Sequence, residues 1–166
     1  MTLHTDQMSD SFRIGAMLAV VGGFLDAYTY LARGQVFANA QTGNIVLLGV
    51  HLSEGDFKKA LSYLVPILAF VAGIFVDEWI KHRLEGKVAL HWRQTVLLIE
   101  ILALIVVIFL PLGKADPLAN ALVSFICSMQ VQSFRKFHGM PYATTMCTGN
   151  LRSGTDHLVK YFQTKD

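Results

Sequence analysis

The chain has 166 residues, of which 53% are apolar and 16% charged, and its mean hydropathy is +0.45. A soluble domain carries roughly 25% charged residues, so this composition indicates a membrane protein and argues against a soluble enzyme. The net charge is only +2 and the basic residues are scattered, which excludes the basic surface that nucleic-acid binding requires. Cys127 and Cys147 have no CxxC spacing, so we expect free, buried thiols and no metal site.

Four stretches are long and apolar enough to be transmembrane helices, which need about 20 mostly apolar residues. They cover residues 12–31, 60–80, 94–112 and 117–134. The second stretch contains Pro66, which membrane helices tolerate, and Trp79 and the basic cluster after residue 80 lie where an interfacial belt is expected. The short connections predict one all-α integral membrane domain over residues 1–166. The basic loop 81–93 is predicted to face the cytoplasm.

A polar but uncharged element follows the first apolar stretch and returns near the end of the chain. Residues 34–52 read GQVFANAQTGNIVLLGVHL, and residues 139–160 read GMPYATTMCTGNLRSGTDHLVK. Both contain the tripeptide TGN, as Thr42, Gly43 and Asn44 and again, 106 residues later, as Thr148, Gly149 and Asn150. We therefore expect a helical bundle with two internal repeats, each with an extended stretch that leads into a TGN half-helix.

These two elements form the candidate binding site. Backbone that is not helical costs several kcal/mol per exposed amide in lipid, so it must face protein or a wet cavity. Paired half-helices that begin at membrane depth indicate a transporter site. Thr or Asn can cap such a helix, Gly admits a ligand, and the free amides favour an anion. The alternative is that both elements are structural turns that hold the bundle together.

Further polar side chains extend this candidate site. Asp26 lies about two-thirds along the first span, where a carboxylate costs roughly 2.5–3.5 kcal/mol. We expect Asp26 to couple protons or to orient the half-helix amides, and the alternative is a structural pair with Arg135 or Arg152. The offset between the repeats places Gln132, rather than Gln130, opposite Asp26. Arg152 follows the second TGN and is suited to bind an anion, although it can equally be a solvated interface residue.

Nothing in the sequence indicates an enzyme or a cofactor. The six histidines form no HxxxH or HExxH pattern, and no GxSxG, Walker or dinucleotide motif occurs. We therefore expect a small secondary transporter or channel for a small polar or anionic solute. The competing hypothesis is a non-transporting scaffold or assembly protein in the membrane.

Four segments resemble the YoaK-like family of bacterial multi-pass membrane proteins of unknown function. They are GGFLDAYTYL at 22–31, VFANAQTGN at 36–44, MQVQSFRKF at 129–137 and YATTMCTGNLRSG at 142–154. The resemblance implies a multi-pass protein of the bacterial inner membrane. It also implies further hydrophobic segments after the second TGN in longer relatives. At the level of fold, the pattern is similar to the nucleobase and sulfate transporter superfamily, in which short strands feed half-helices that meet at the substrate.

No convincing membrane span follows the second TGN. Residues 151–162 contain Arg152, Asp156, His157 and Lys160, which interrupt the apolar pattern. In longer relatives a following helix would cover this side of the protein. Because extended backbone is too costly to leave in lipid, we expect a homodimer with its interface near residues 142–155.

Overall fold

A computed structural model describes residues 12–85, 92–137, 140–141 and 147–164. Within these ranges the chain forms six helices: α1 (Phe12–Ala32), α2 (Gln41–Ser53), α3 (Phe57–Leu84), α4 (Trp92–Phe109), α5 (Asp116–Ser133) and α6 (Cys147–Thr164). Two strands of two residues each, β1 (Lys136–Phe137) and β2 (Met140–Pro141), pair in an antiparallel manner. The predicted all-helical class is confirmed.

Three of the described helices are long and apolar enough to cross a membrane. The candidate spans are Arg13–Ala32, Phe57–Leu84 and Trp92–Phe109, which correspond to α1, α3 and α4. Most of their side chains lie outside the protein core, and Leu31 and Phe109 are 83% and 80% exposed. This distribution fits helices that have lipid as their solvent. Helix α3 continues through Pro66, as predicted.

The fourth predicted span, 117–134, forms the central helix α5. This helix contacts α1, α3 and α4 and buries ten of its 18 residues. Polar residues such as Asn120 and Gln130 lower its hydropathy, and α5 is not among the candidate spans. Because α1, α3 and α4 pack against α5, these side chains face protein instead of lipid. The prediction of four apolar spans is therefore corrected to three apolar helices around a more polar central one.

The helices alternate in direction between two ends of the bundle. At one end Arg33, just after α1, lies 3.2 Å from Asp116 at the start of α5. At the other end Asp77 of α3 accepts a hydrogen bond of 2.5 Å from Ser133, the last residue of α5. Arg93 at the start of α4 donates to the carbonyl of Ser133 at 3.1 Å. Helices α1 and α4 therefore run in one direction and α3 and α5 in the other. We name these the Arg33 end and the Asp77 end.

Helices α3 and α5 approach each other closely at Gly73. A Cβ atom at this position would lie 2.0 Å from the Ser128 hydroxyl oxygen and 2.3 Å from the Phe125 carbonyl oxygen. Small residues at a crossing allow two helix backbones to come together, which is how membrane helices gain packing energy. Gly73 thus fixes the distance between α3 and α5.

Gly73→Ala should destabilise the protein, because α3 and α5 must separate to admit the methyl group. We expect a loss of about 1–3 kcal/mol in the free energy of unfolding, measured by thermal or detergent-induced unfolding. Gly49→Ala is the matched control, since a Cβ at Gly49 of α2 has no atom within 4 Å. Alanine has a higher helix propensity than glycine, so Gly49→Ala should leave the free energy of unfolding unchanged or raise it. Equal stability of the two variants would contradict the close crossing.

Candidate functional site

The loop between α1 and α2 turns back along α1. Gly34 (φ 84°) and Gln35 (φ 65°) both adopt left-handed backbone conformations, which reverse the chain after α1. The Asn39 side-chain amide then donates to the Gly22 carbonyl at 3.1 Å. Gly22 precedes Arg33 by 11 residues, which corresponds to about 16 Å along a helix. We name residues 33–40 the return loop, because they lead the chain back into the bundle.

Asp26 of α1 holds the inner end of the return loop. Its Oδ1 atom accepts hydrogen bonds from the backbone N–H groups of Asn39 (2.7 Å) and Ala40 (3.4 Å). Ala40 precedes α2 and has no capping side chain of its own. Asp26 therefore places a carboxylate at the start of α2, where the helix dipole favours negative charge. These partners are backbone amides and not Arg135 or Arg152, the basic residues considered from the sequence.

The first TGN lies in the first turn of α2, which begins at Gln41. Asn44 is fully buried and does not cap the helix; its Oδ1 accepts from the Phe37 N–H (3.0 Å) and its Nδ2 donates to the Phe37 carbonyl (2.7 Å). Gly43 faces the ring of Phe37, since a Cβ there would lie 2.9 Å from a ring carbon. Thr42 is exposed. Asn44 and Gly43 thus fix the return loop, and Thr42 is the member of the tripeptide accessible from outside.

The second TGN lies in the first turn of α6. Thr148, Gly149 and Arg152 are exposed and Asn150 is half-buried. Among the described residues, α6 makes no extensive contact with α2 or with any other helix. Residues 142–146, which precede α6, lie outside the described part of the chain. A site formed by both tripeptides therefore stays a prediction.

A group of polar side chains is buried beside Asp26. The thiol of Cys127 on α5 is buried and lies within electrostatic range of Asn39, Asp26 and Glu100. Glu100 on α4 is 5% exposed, although its position seven residues after Arg93 suggests an interface. Within the described residues, Oε2 of Glu100 and Oδ1 of Asn39 are buried without a hydrogen-bond partner. Helices α1, α4 and α5 and the return loop thus bring two carboxyl groups, a thiol and an amide together in the interior.

The two glutamines of α5 point to different surroundings, as their spacing of two residues requires. Gln130 is fully buried and its Nε2 donates to the Leu18 carbonyl of α1 at 3.1 Å. Gln132 is half-buried and its Nε2 donates to Oε1 of Glu78 on α3. The side chain that faces α1 is therefore Gln130, whereas the sequence favoured Gln132. Gln132 belongs to the Asp77 end of the bundle.

Arg33 is a buried residue that the sequence pattern does not identify as part of the candidate site. It is 2% exposed, and its guanidinium donates to the Tyr28 hydroxyl (2.7 Å), the Asp116 carboxylate (3.2 Å) and the carbonyls of Val107, Leu110 and Pro111 (2.9–3.3 Å). These carbonyls lie at the end of α4, where a cation is favoured by the helix dipole. Burial alone would lower the pKa of Arg33, but the hydrogen bonds to Tyr28 and Asp116 raise it above its usual value. Arg33 thus joins α1 to the connection between α4 and α5.

These features define a helical membrane protein whose apolar helices surround a polar central helix and a loop that returns into the bundle. Within the described ranges, no group of three His, Cys, Asp or Glu residues could hold a metal ion. The family described as "Protein of unknown function (DUF1275)" matches residues 14–166. The chain therefore belongs to the DUF1275 family.

One curated relative is the "UPF0700 transmembrane protein YoaK" of Bacillus subtilis (strain 168). It is 26% identical over 144 residues, which cover 83% of this chain and 63% of the relative. The chain thus spans less than two-thirds of the length of this relative. No solved structure matches the chain. The predicted resemblance to YoaK-like membrane proteins is confirmed.

Proposed function

We propose that this protein is a small secondary transporter or channel-like protein of the bacterial inner membrane that moves a small polar or anionic solute. The observation that carries the proposal is the return loop, whose non-helical backbone reaches back to Gly22 inside α1. In membrane proteins, such backbone is tolerated where it is buried in protein or lines a cavity, and it often forms the solute path of transporters. Asp26 lies in the apolar helix at this depth.

The direction of α2 supports a re-entrant element. Its end lies beside the start of α3, because the Asp56 N–H donates to the His51 carbonyl at 2.9 Å. The segment 34–52 thus enters from the Arg33 end and returns to it. If the basic loop 81–93 faces the cytoplasm, the Arg33 end faces outward. A re-entrant first element predicts that the second TGN belongs to an inverted repeat.

Asp26 provides a means of coupling protons to an anion. The carboxylate occupies the backbone amides at the start of α2, so an anionic solute that binds these amides must compete with it. Protonation of Asp26 weakens this competition, because a neutral carboxyl group is a poorer hydrogen-bond acceptor. Glu100 of α4 and Cys127 of α5 are the titratable side chains that share this interior. The proposal therefore assigns coupling to Asp26.

The solute-binding residues in this proposal are those of the first tripeptide and their predicted counterparts. Thr42, Gly43 and Asn44 form the start of α2. Gln132, Arg152 and the second tripeptide (Thr148, Gly149, Asn150) belong to the proposal through the pairing of the repeats. The homodimer, with an interface near residues 142–155, also remains a prediction. Leu151 and Leu158, which are exposed on α6, are apolar side chains that a second copy would cover.

A non-transporting scaffold is the competing proposal. It is favoured by the side chain of Asn44, which directs its hydrogen bonds to Phe37 and Gln41 inside the protein. Gly43 also packs against Phe37. On this view the TGN elements are structural, and the protein serves assembly within the membrane. The two proposals differ in whether the protein moves a solute.

Uptake into proteoliposomes, measured across a panel of anions and nucleobases, tests the transporter proposal. We expect at least one compound to enter faster than in protein-free liposomes. Thr42→Ala should reduce this uptake severalfold without unfolding the protein, because Thr42 is exposed. Ser53→Ala, at the exposed far end of α2, should leave uptake unchanged. Asn44→Ala and Asn150→Ala extend the test to both tripeptides. If a folded protein takes up none of the compounds, the scaffold proposal is favoured.

A further inference from the structure

A cavity of about 320 Å³, lined by both charged and apolar groups, opens at the Arg33 end of the bundle. This volume lies within the range of small-molecule pockets, roughly 300–1,000 Å³. The cavity is formed by the return loop, the first turns of α3 and α5, and the turn before α5. Its charged and amide side chains are Arg33, Asp56, Lys58, Lys59, Asp116 and Asn120.

Four of the five charged groups that line the cavity already have partners in the protein. Asp116 pairs with Arg33 through Oδ1, and the other three are Arg33, Lys59 and Asp56. Arg33 is held by the hydrogen bonds described above. The Lys59 ammonium donates to the Gly34 carbonyl at 3.1 Å and lies over the ring of Tyr63. Asp56 caps α3 by accepting a hydrogen bond of 3.0 Å from the Lys59 N–H. These groups shape the cavity and leave the remaining polar atoms of its lining to contact a ligand.

Helix α5 contributes a wall of hydrogen-bond acceptors. Asn120 is 3% exposed; its Nδ2 donates to the Arg33 carbonyl at 2.8 Å, but its buried Oδ1 has no partner among the described residues. Asp116 precedes Asn120 by one helical turn and uses only Oδ1 to accept from Arg33 and Gly113. An unsatisfied buried acceptor has lost its hydration without compensation, and a ligand donor would restore the missing hydrogen bond. This wall is therefore complementary to a donor, and Oδ2 of Asp116, which accepts from neither Arg33 nor Gly113, favours a cationic one.

Helix α3 contributes a free cation. Lys58 is exposed and lines the cavity, and its ammonium group has no hydrogen bond or ion pair with any described residue. An ammonium group in this position is suited to a carboxylate. A ligand that satisfies both walls must therefore carry a cationic donor and an anionic acceptor.

We propose that this cavity binds a small zwitterion such as an amino acid. The ligand ammonium donates to Oδ1 of Asn120 and pairs with Asp116, and the ligand carboxylate pairs with Lys58. A hydroxy acid, a simple anion or water alone are the other occupants that the experiment distinguishes. Binding at this cavity does not require that the protein transport its ligand, so the inference stands apart from the proposed function.

Calorimetric titration of the detergent-solubilised protein tests the assignment. The probes are glycine, β-alanine and 4-aminobutyrate. The distance between their charged groups increases in this order, so the tightest binder reports the distance from Lys58 to the acceptors on α5. Butyrate and 4-hydroxybutyrate lack the ammonium group of the zwitterion, and butylamine lacks the carboxylate. We expect at least one amino acid to bind, and the three comparison compounds to bind at least about tenfold more weakly, since each loses a charge-assisted contact.

Variants of two exposed lysines show whether the cavity is the site. Lys58→Gln should weaken binding of the preferred amino acid about tenfold. Lys114→Gln, in the exposed turn after α4 and outside the cavity lining, should leave binding unchanged. Asn120→Leu should abolish binding; its thermal unfolding is measured in parallel because it also loses the contact with Arg33. As an independent readout, the amino acid should slow chemical acetylation of Lys58 but not of Lys114.

Several outcomes overturn the proposal. One is the absence of binding by all three amino acids at millimolar concentration to a protein that unfolds cooperatively. Equal binding of butyrate would show a simple anion site, and equal binding of 4-hydroxybutyrate would show a hydroxy-acid site. An unchanged affinity in Lys58→Gln would place the ligand elsewhere. Binding of an amino acid without its uptake would leave this site intact and would show that the amino acid is not the transported solute.

Discussion

Arg33→Met should lower the free energy of unfolding by about 3–5 kcal/mol, the cost of leaving a buried charge without its partner. The guanidinium is 2% exposed and donates to a carboxylate, a phenol hydroxyl and three carbonyls. Methionine fills much of the same space but donates no hydrogen bond, so the carbonyls at the end of α4 lose the guanidinium donor and Asp116 keeps only the Gly113 N–H. Thermal or detergent-induced unfolding of the purified protein measures this effect.

Two further variants separate the geometry of Arg33 from its charge. Arg33→Lys keeps the charge, but a lysine cannot reach acceptors distributed around a planar guanidinium, so we expect an intermediate loss of stability. Arg135→Met is the matched control, because Arg135 is exposed just after α5. Surface substitutions of this kind usually change stability by no more than about 0.5 kcal/mol. If Arg33→Met and Arg135→Met have the same free energy of unfolding, the hydrogen bonds of Arg33 do not hold α1 to α4 and α5.

Asp26→Asn should abolish the pH dependence of solute uptake while the protein stays folded. The asparagine side chain keeps an oxygen that can accept from the N–H groups of Asn39 and Ala40, but it cannot take up a proton. Uptake into proteoliposomes, measured from acidic to alkaline pH, gives the result. Glu100→Gln is the companion variant, because Glu100 is the other carboxyl group near Cys127. If uptake still depends on pH in Asp26→Asn but no longer does so in Glu100→Gln, the coupling residue is Glu100.

Asp26→Leu distinguishes the structural role of Asp26 from its titration. Leucine removes the acceptor and leaves the buried N–H groups of Asn39 and Ala40 unsatisfied, at about 1–3 kcal/mol each. We therefore expect Asp26→Leu to unfold well before Asp26→Asn. Comparable loss of folded protein in both variants would show that the negative charge itself is needed for folding.

The positions of the membrane helices could be predicted from the sequence, because long apolar runs dominate their composition. The run 12–31 corresponds to α1, Phe12–Ala32, within one residue. The environment of α5 could not be predicted in the same way. Its residues 117–134 contain no charge until Arg135, so they resemble a lipid-facing span. Only the packing of α1, α3 and α4 around it explains why its amides and hydroxyls are tolerated.

The candidate site was predictable only in part. Asp26 stands out because a carboxylate inside an apolar run is costly. Its hydrogen-bond partners, Asn39 and Ala40, could not be predicted, because the chain reversal at Gly34 and Gln35 is what brings them close to Asp26. A left-handed conformation at glutamine is uncommon and is not indicated by residue type. Arg33 follows an apolar helix directly, and an arginine in that position usually marks the membrane interface.

The hydrogen bonds of Arg33 have a consequence for the order in which the protein assembles during synthesis. Apart from the bond to Tyr28, they join residues that are separated by 74 to 83 positions in the chain. At a synthesis rate of about 5–20 residues per second, these acceptors emerge several seconds after Arg33 itself. Until then the guanidinium has only water and Tyr28 as partners, so α1 enters the bilayer with its arginine hydrated at the surface. Arrival of α4 and α5 then removes that water and closes the bundle, which makes docking of Arg33 a late step in folding.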